Sequence, residues 1–365
     1  MKTIASRHLK LITYNLQLAA AVLLLLALPA NAQIPEGYYN SIDEKQEREL
    51  KTALSKIIVN HTVIRYNDLW KHYPQTDVRE DGRTIWDMYS NTVRYYSSTP
   101  GQSTAGIQRE HSLPKSWWAV ANEVEDYDAY SDLHHLYPSD GDANQRKSNY
   151  MLGEINNPVF DNGVSKVGKN TYNYAGSPSA NAFEPDDEYK GDFARTYLYM
   201  ITCYEDYAQQ WRSDALNMFN KEIYPVLKPW AKDMLLKWHR NDPISPKEVN
   251  RNNEVHKVQK NRNPFIDYPQ LVEYIWGDSV NYTFRLPESG ETTIDPLPNN
   301  YDLYVNGSII TFRGNDPTTQ VRIFNSSGRQ IYREMCTGDW QYYPCQKPGV
   351  YIISINDKAR KVIVR

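Results

Sequence analysis

Apolar positions recur at helical spacing near the start of the chain. Leu50, Ala53, Leu54, Ile57 and Ile58 lie on one stripe, which predicts an amphipathic helix within residues 43–60. Tyr66–Asn67–Asp68–Leu69–Trp70 begins a second helical pattern, and Thr84 to Tyr89 suits a strand after the Asp81–Gly82 turn. Residues 97–106 are rich in Ser, Thr, Gly and Pro and read as a loop, from which Gly106 to Glu110 emerges as a short strand. Asn144 to Met151 predicts a short helix, and residues 153–188 read as loop. Tyr189 to Gln210 predicts a long helix with Phe193, Tyr197 and Ile201 on one face. Two helical segments interrupted by Pro225 and Pro229 follow. Ser245–Pro246 has the residues of a helix start, Ser as cap and Pro in the first turn, and that helix ends before Asn263–Pro264.

The pattern changes near residue 286. Residues 286–300 carry three prolines and two consecutive Asn, the composition of a linker. Beyond it the apolar positions fall into short β-type runs: Tyr301–Val305, Ser308–Phe312, Gln320–Phe324, Gln330–Arg333, Val350–Ile355 and Lys361–Val364. Asn306–Gly307 between the first two is a hairpin turn signal. At the other end, Lys2, Arg7, His8 and Lys10 precede a mostly apolar Leu16–Leu28 and a small-x-small Ala30–Asn31–Ala32. These are the parts of an export signal cleaved after Ala32. No later stretch is long and apolar enough to span a bilayer. Four parts result: leader 1–32, main domain 33–285, linker 286–300 and β module 301–365.

Composition adds a constraint. The net charge is −3, so there is no global basic field, and a polyanion would need local positive charge. Lys237 to Arg262 supplies some, seven Lys or Arg against three Asp or Glu. Arg251, Lys257, Lys260 and Arg262 belong to it and are candidates for following a phosphate backbone. The acidic run Glu123–Asp132 lacks calcium-loop spacing and reads as a solvated loop. Of three cysteines, Cys203 sits in an apolar helical stretch, while Cys336 and Cys345 are close enough in sequence to pair in an oxidising compartment.

Two stretches concentrate reactive side chains. Arg109–Glu110–His111–Ser112–Leu113–Pro114–Lys115–Ser116–Trp117–Trp118 sets a carboxylate beside an imidazole ahead of a proline turn. Asp132–Leu133–His134–His135–Leu136–Tyr137–Pro138 runs on to Asn144, Arg146, Lys147 and Asn149. Glu and Asn offer oxygen to a hard cation such as Mg²⁺. A histidine can take a proton from water near neutral pH. Ligands, base and metal together are what phosphodiester hydrolysis requires.

On these residues the chain resembles the bacterial endonuclease I family of ββα-metal, or His-Me finger, nucleases. Gly141–Tyr150, Ala194–Met200 and Val258–Phe265 resemble further family segments, so the likeness covers roughly residues 45–275. The resemblance implies His111 as general base and Glu110 with Asn144 as ligands of one Mg²⁺, with Mn²⁺ or Ca²⁺ as substitutes. His134 and His135 would brace the site. Arg109, Arg146, Lys147 and Arg195 join the basic stretch as candidate phosphate contacts. It also implies DNA, and RNA as a second substrate, cut with little sequence preference to 5′-phosphate ends by a monomer. Some relatives carry an Arg after the catalytic His that steadies the scissile phosphate, whereas Ala119–Asp132 has none.

The C-terminal part has a resemblance of its own. Val321–Asn325, Ser327–Arg329, Pro348–Ile353 and the basic ending Lys358–Arg365 look like the sorting domain of type IX secretion substrates, implying the type IX machinery as a partner and a secreted or cell-surface location. The expected fold class is α+β: a helix-rich nuclease domain with a ββα-metal core, then a small all-β sandwich. The rivals are a non-catalytic surface-binding protein and a metal-dependent hydrolase of another class. A metallopeptidase is disfavoured because His-Glu-x-x-His is missing.

Overall fold

The computed structural model of the chain describes residues 34–119, 123–286, 301–306, 309–314, 319–325, 329–345, 349–355 and 358–364. The expected leader, the linker after Leu286 and the Gly307 turn position lie outside the described residues. The class is α+β.

Helix α1 (Glu47–Ile58) lies inside the predicted amphipathic stretch, and it buries Leu50, Ala53, Leu54 and Ile58. A 3-10 turn at Tyr66–Asp68 leads into α2 (Leu69–Thr76). The strand expected at Thr84–Tyr89 is replaced by single bridges, Val78 with Ile85 and Thr84 with Tyr95. Asp87 is the reason. Its Oδ1 accepts the Tyr89 N–H at 2.8 Å and its Oδ2 accepts the Asp140 N–H at 2.9 Å, which bends the segment into a turn.

Strand β1 (Ile107–His111) pairs antiparallel with β2 (Leu136–Asp140), with Glu110 opposite Tyr137 and His111 opposite Leu136. Helix α3 (Gly141–Lys147) follows at once and packs on both strands. It begins three residues earlier than the sequence suggests, because the Asp140 carboxylate accepts from the N–H groups of Asp142 and Ala143. It ends at Ser148, whose φ is +51°. Behind the ribbon, Ile107 and Leu136 join Leu69, Trp70, Tyr73, Ile85, Leu133 and Val255 in a small apolar cluster, so α2 and the later helix α7 hold the ribbon from the back.

The stretch 153–188 is not only loop. Strands β3 (Met151–Leu152), β4 (Pro158–Asp161), β5 (Ser165–Lys169) and β6 (Asn181–Pro185) form a sheet in the order β3-β6-β5-β4. Helix α4 (Lys190–Cys203) is shorter than expected, since Glu205–Gln210 is a 3-10 turn. Every residue after Lys190 is buried, because α1, α6 and α8 pack around the helix. The short α5 (Ala215–Met218) precedes α6 (Pro229–Asn241), which starts at Pro229 instead of being interrupted by it. Helix α7 (Pro246–Gln259) opens with a full capping box between Ser245 and Glu248. The short α8 (Pro264–Asp267) and α9 (Leu271–Ile275) complete this region.

The C-terminal strands are β7 (Tyr301–Asn306), β8 (Ile309–Gly314), β9 (Gln320–Asn325), β10 (Gln330–Met335), β11 (Gln341–Pro344), β12 (Gly349–Ile355) and β13 (Lys358–Val364). They form two antiparallel sheets, ordered β11-β8-β7 and β10-β9-β12-β13. Leu303, Ile310, Phe312, Val321, Ile323, Tyr351, Ile353, Ile355 and Val364 make a core of their own. Cys336 and Cys345 are both buried in it and are not joined in a disulfide, so the anticipated bridge is not formed. They follow β10 and β11, strands of different sheets. Cys203 is a buried thiol, and burial pushes its pKa well above the usual thiol range.

Candidate active site

Strand alternation decides which way each side chain of β1 faces. Gln108 and Glu110 point to α3. There Gln108 Oε1 accepts from Asn144 Nδ2 at 2.9 Å, and Glu110 Oε1 meets Lys147 Nζ at 2.7 Å. Asn144 and Lys147 are three residues apart on one helix face, so two strand positions engage two helix positions. Asn144 is thus the fourth residue of the helix, not its first.

Glu110 is 7% exposed, and burial pushes its pKa up. The Lys147 ammonium acts in the opposite direction by charge and by its hydrogen bond. Lys147 is itself fully buried and also touches His111 O at 3.4 Å. It is a partner of the carboxylate, not an open phosphate contact. With its N–H on Gln108, Asn144 keeps Oδ1 as a carbonyl-type oxygen on the helix that faces Glu110. A carboxylate and an amide oxygen from facing elements are the donor types a hard divalent cation takes.

Arg109 and His111 occupy the other face of β1. His111 Nε2 lies 2.9 Å from Tyr130 O. A carbonyl only accepts, so Nε2 carries the proton and Nδ1 keeps the lone pair. Burial, then the neighbouring His135 ring, hold the His111 pKa well below the usual histidine value, so the imidazole is neutral near pH 7. His135 packs against it at 5.3 Å between ring centroids, and its own Nε2 is fixed on Ala129 O at 2.7 Å. Trp118 leans on both rings. His134 turns away and lies 4.6 Å from the Tyr199 ring.

Several expected phosphate contacts prove to be interior struts. Arg195 is fully buried and forked onto Glu248. Arg251 reaches Asp77 at 2.8 Å and two backbone carbonyls of the 133–136 segment. Arg262 is clamped on Asp267 at 2.6 Å. In all three a buried guanidinium is neutralised by a carboxylate, which removes it from any polyanion. Arg146 is exposed but lies at 3.5 Å from Asp142. Lys257 and Lys260 remain exposed. Arg109 stays half-buried at the rim.

A second group of metal-type side chains, His61, Asp132 and Cys203, lies together in the interior. Asp132 Oδ2 already accepts from Tyr199 at 2.7 Å and Tyr204 at 2.8 Å, and Oδ1 from Gln259 at 2.8 Å and the His134 N–H. His61 Nε2 is paired with the Tyr204 hydroxyl at 2.9 Å. These oxygens are committed to a hydrogen-bonded brace that ties the 132–135 segment to α4 and α7.

Sequence reasoning missed Tyr66, Tyr130 and Gln108 at this site. Tyrosine is too common in the chain, 29 residues, for any one to stand out. Lys115 was visible within the first motif but carried no assignment.

The arrangement is therefore an antiparallel ribbon and a helix that carry a neutral histidine, a buried carboxylate and a side-chain amide within one ribbon–helix unit. The Endonuclease I family model matches residues 46–270 of the chain, which contain all of it. The chain belongs to the endonuclease I family. This family member is similar to an extracellular ribonuclease of Bacillus amyloliquefaciens, 34% identical over 245 residues, 66% of this chain and 78% of that protein. It is 31% identical over 262 residues to an extracellular ribonuclease of Bacillus subtilis, 70% of this chain and 83% of that protein. An extracellular deoxyribonuclease of Aeromonas hydrophila is 26% identical over 136 residues, 37% of this chain and 49% of that protein. Membership makes the chain a nuclease, and residues 301–365 lie beyond the family match.

Proposed function

We propose that this endonuclease I relative is a secreted, divalent-cation-dependent endonuclease that cleaves both DNA and RNA with little sequence preference, built on a His-Me finger core. The observation that supports it most is the fixed tautomer of His111. Tyr130 O holds the Nε2 proton, so Nδ1 is the basic atom, and burial keeps it unprotonated at working pH. His111 Nδ1 takes the proton of the attacking water. Attack at phosphorus opposite the 3′-oxygen leaves a 5′-phosphate. Glu110 and Asn144 would hold one Mg²⁺ ion, with Mn²⁺ or Ca²⁺ as substitutes. When bound, that ion stabilises charge on the phosphate and leaving oxygens. Lys147 favours the ionised form of Glu110 by its charge and hydrogen bond, and His135 with Trp118 packs against the His111 ring.

Two relatives are named ribonucleases and one a deoxyribonuclease, which favours a site that reads the backbone and not the sugar. Purified protein should degrade plasmid DNA and transfer RNA with Mg²⁺ and lose both activities in EDTA. His111→Ala should lower turnover by about 100-fold or more with the far-UV spectrum unchanged. Turnover within threefold of wild type would remove His111 from the role of base.

We further infer that residues 301–365 are a sorting module for the type IX machinery, preceded by a cleaved leader at 1–32. The module's separate core supports this, as do the extracellular relatives. In a host with that apparatus, deletion of 301–365 should leave activity in the periplasm and none in the medium. Wild-type levels in the medium would refute the assignment.

A further inference from the structure

The face of β1 that carries His111 holds a column of charge and aromatic rings that the hydrolytic chemistry does not use. The Arg109 guanidinium carbon sits 3.8 Å from the Tyr66 ring centroid. Tyr66 and Tyr130 are stacked at 4.4 Å with 23° between their planes. Lys115 Nζ lies 5.5 Å from the Tyr130 centroid, at the other end. The His111 ring stands beside the middle of this column, 5.8 Å from Tyr66 and 5.4 Å from Tyr130, within 9° and 23° of parallel. A cation therefore lies against each of the two rings that flank the general base.

Arg109 is held at its charged group, and Lys115 at its backbone turn. Arg109 Nη1 donates to Tyr66 O at 2.7 Å and Asn67 Oδ1 at 3.1 Å, neutral acceptors that anchor the group without cancelling its charge. Lys115 is exposed, and among the described residues no carboxylate lies within ion-pair distance of it. It begins the 3-10 turn Lys115–Trp117, which is pinned by the buried Trp117, whose Nε1 donates to Asn149 O at 3.0 Å. The other basic residues around the ribbon are spent: Lys147 on Glu110, Arg146 on Asp142 and Arg94 on Asp140. An open groove lined by Tyr66, Trp70, Ser103, Ile107, Gln108 and Arg109 continues from the Arg109 end. Arg109 and His111 are two residues apart on one strand face, about 7 Å, close to one step of a nucleic-acid backbone.

We propose that Arg109 and Lys115, held at the two ends of the Tyr66–Tyr130 stack, are a register clamp for the backbone phosphates that flank the scissile one. The clamp rests on the nuclease reading above. It makes the preferred substrate a polynucleotide with a phosphate on each side of the cut, and not a dinucleotide. The stack sets the separation of the two cations, so the strand is placed by its backbone and no base is read. Arg109 and Lys115 are positioning residues that act on binding more than on turnover.

The test measures binding first, in EDTA without metal, by anisotropy of a fluorescein-labelled 12-mer of oligothymidylate across a salt series. Lys115→Ala and Arg109→Ala should each reduce the slope of log K against log salt by about 0.7, the value for one phosphate contact on a single strand. Lys115→Arg should keep it. Because Arg109 also holds the Tyr66 carbonyl, Lys115→Ala, a change at an exposed turn, is the deciding variant. Cleavage with Mg²⁺ is then compared for the 12-mer and for thymidylyl-thymidine, which has no flanking phosphate. The rise in KM caused by Lys115→Ala should be about tenfold on the 12-mer and much smaller on the dinucleotide. An unchanged salt slope, or equal losses on the two substrates, overturns the clamp. Normal slopes in the wild type with no cleavage of either substrate would instead overturn the nuclease reading, and the clamp with it as a device for the cut, leaving Arg109 and Lys115 as backbone-binding residues only.

Discussion

Glu110 and Lys147 were both visible in the sequence as members of the motif, but their relation was not. The sequence offers Lys147 as a loose cation near a helix end, and the fold turns it inward onto Glu110 at 2.7 Å. Removing one member of a buried ion pair leaves the other charge without a partner, a loss of about 3–5 kcal/mol. Lys147→Met should therefore lower the urea unfolding free energy by about 3 kcal/mol. The double variant Glu110→Gln, Lys147→Met should recover part of that, because no charge is then stranded. A single variant within 1 kcal/mol of wild type would show that the carboxylate finds solvent when its partner is lost. Arg195, Arg251 and Arg262 teach the same lesson. Each lies in a stretch that resembles the family, yet each is enclosed with an acid from a distant part of the chain or from the next turn. Charge type is legible in a sequence. Whether the charge faces water depends on contacts up to 174 residues apart, as between Arg251 and Asp77.

Helix α3 carries Asn144, and its position depends on Asp140. That carboxylate accepts the Asp142 and Ala143 N–H groups through Oδ1 and pairs with Arg94 Nη1 through Oδ2 at 2.7 Å. Asp140→Ala should lower stability by about 1–2 kcal/mol as a lost cap. It should also weaken Mg²⁺ binding, since the first turn of the helix that presents Asn144 would fray. Calorimetric titration checks this, and metal affinity equal to wild type would separate the cap from the site. Elements with a local signal were readable in the sequence. The Ser245–Pro246–Glu248 box marks the start of α7, and the apolar stripe marks α1. The sheet of β3 to β6 was not readable, because β4 is almost wholly solvent-facing and the strands are short and joined by segments rich in Gly, Asn and Ser. Thr84–Tyr89 had strand-like composition, but the Asp87 side chain offers its backbone a turn in place of a ladder.

In the whole molecule the family-matched region and the C-terminal strands bury separate cores, which is why the change of pattern near residue 286 could be seen without a structure. Beside His111 of the site, the family-matched region encloses three further histidines, His134, His135 and His239, all deeply buried. Burial lowers their pKa values to about 3, about 4 and about 3, outweighing the Asp132 carboxylate near the first two, while Arg195 lowers His239 further. Each is therefore neutral in the folded chain, whereas the unfolded chain protonates it near 6.5. Between pH 6.5 and about 4 the unfolded state binds more protons than the folded state. The stability these histidines contribute is thus intact above pH 6.5 and falls as pH drops through that window. Each histidine contributes up to about 1.4 kcal/mol per pH unit. Urea unfolding of the purified protein should show the loss beginning near pH 6.5, above the range in which ordinary carboxylates titrate. His239 lies away from the ribbon, against Arg195, so His239→Gln removes one of the three without touching the site. The variant should be less stable at pH 7.5, from lost packing, yet show a shallower decline between pH 6.5 and 5. A decline as steep as wild type would show that His239 carries no part of the acid sensitivity.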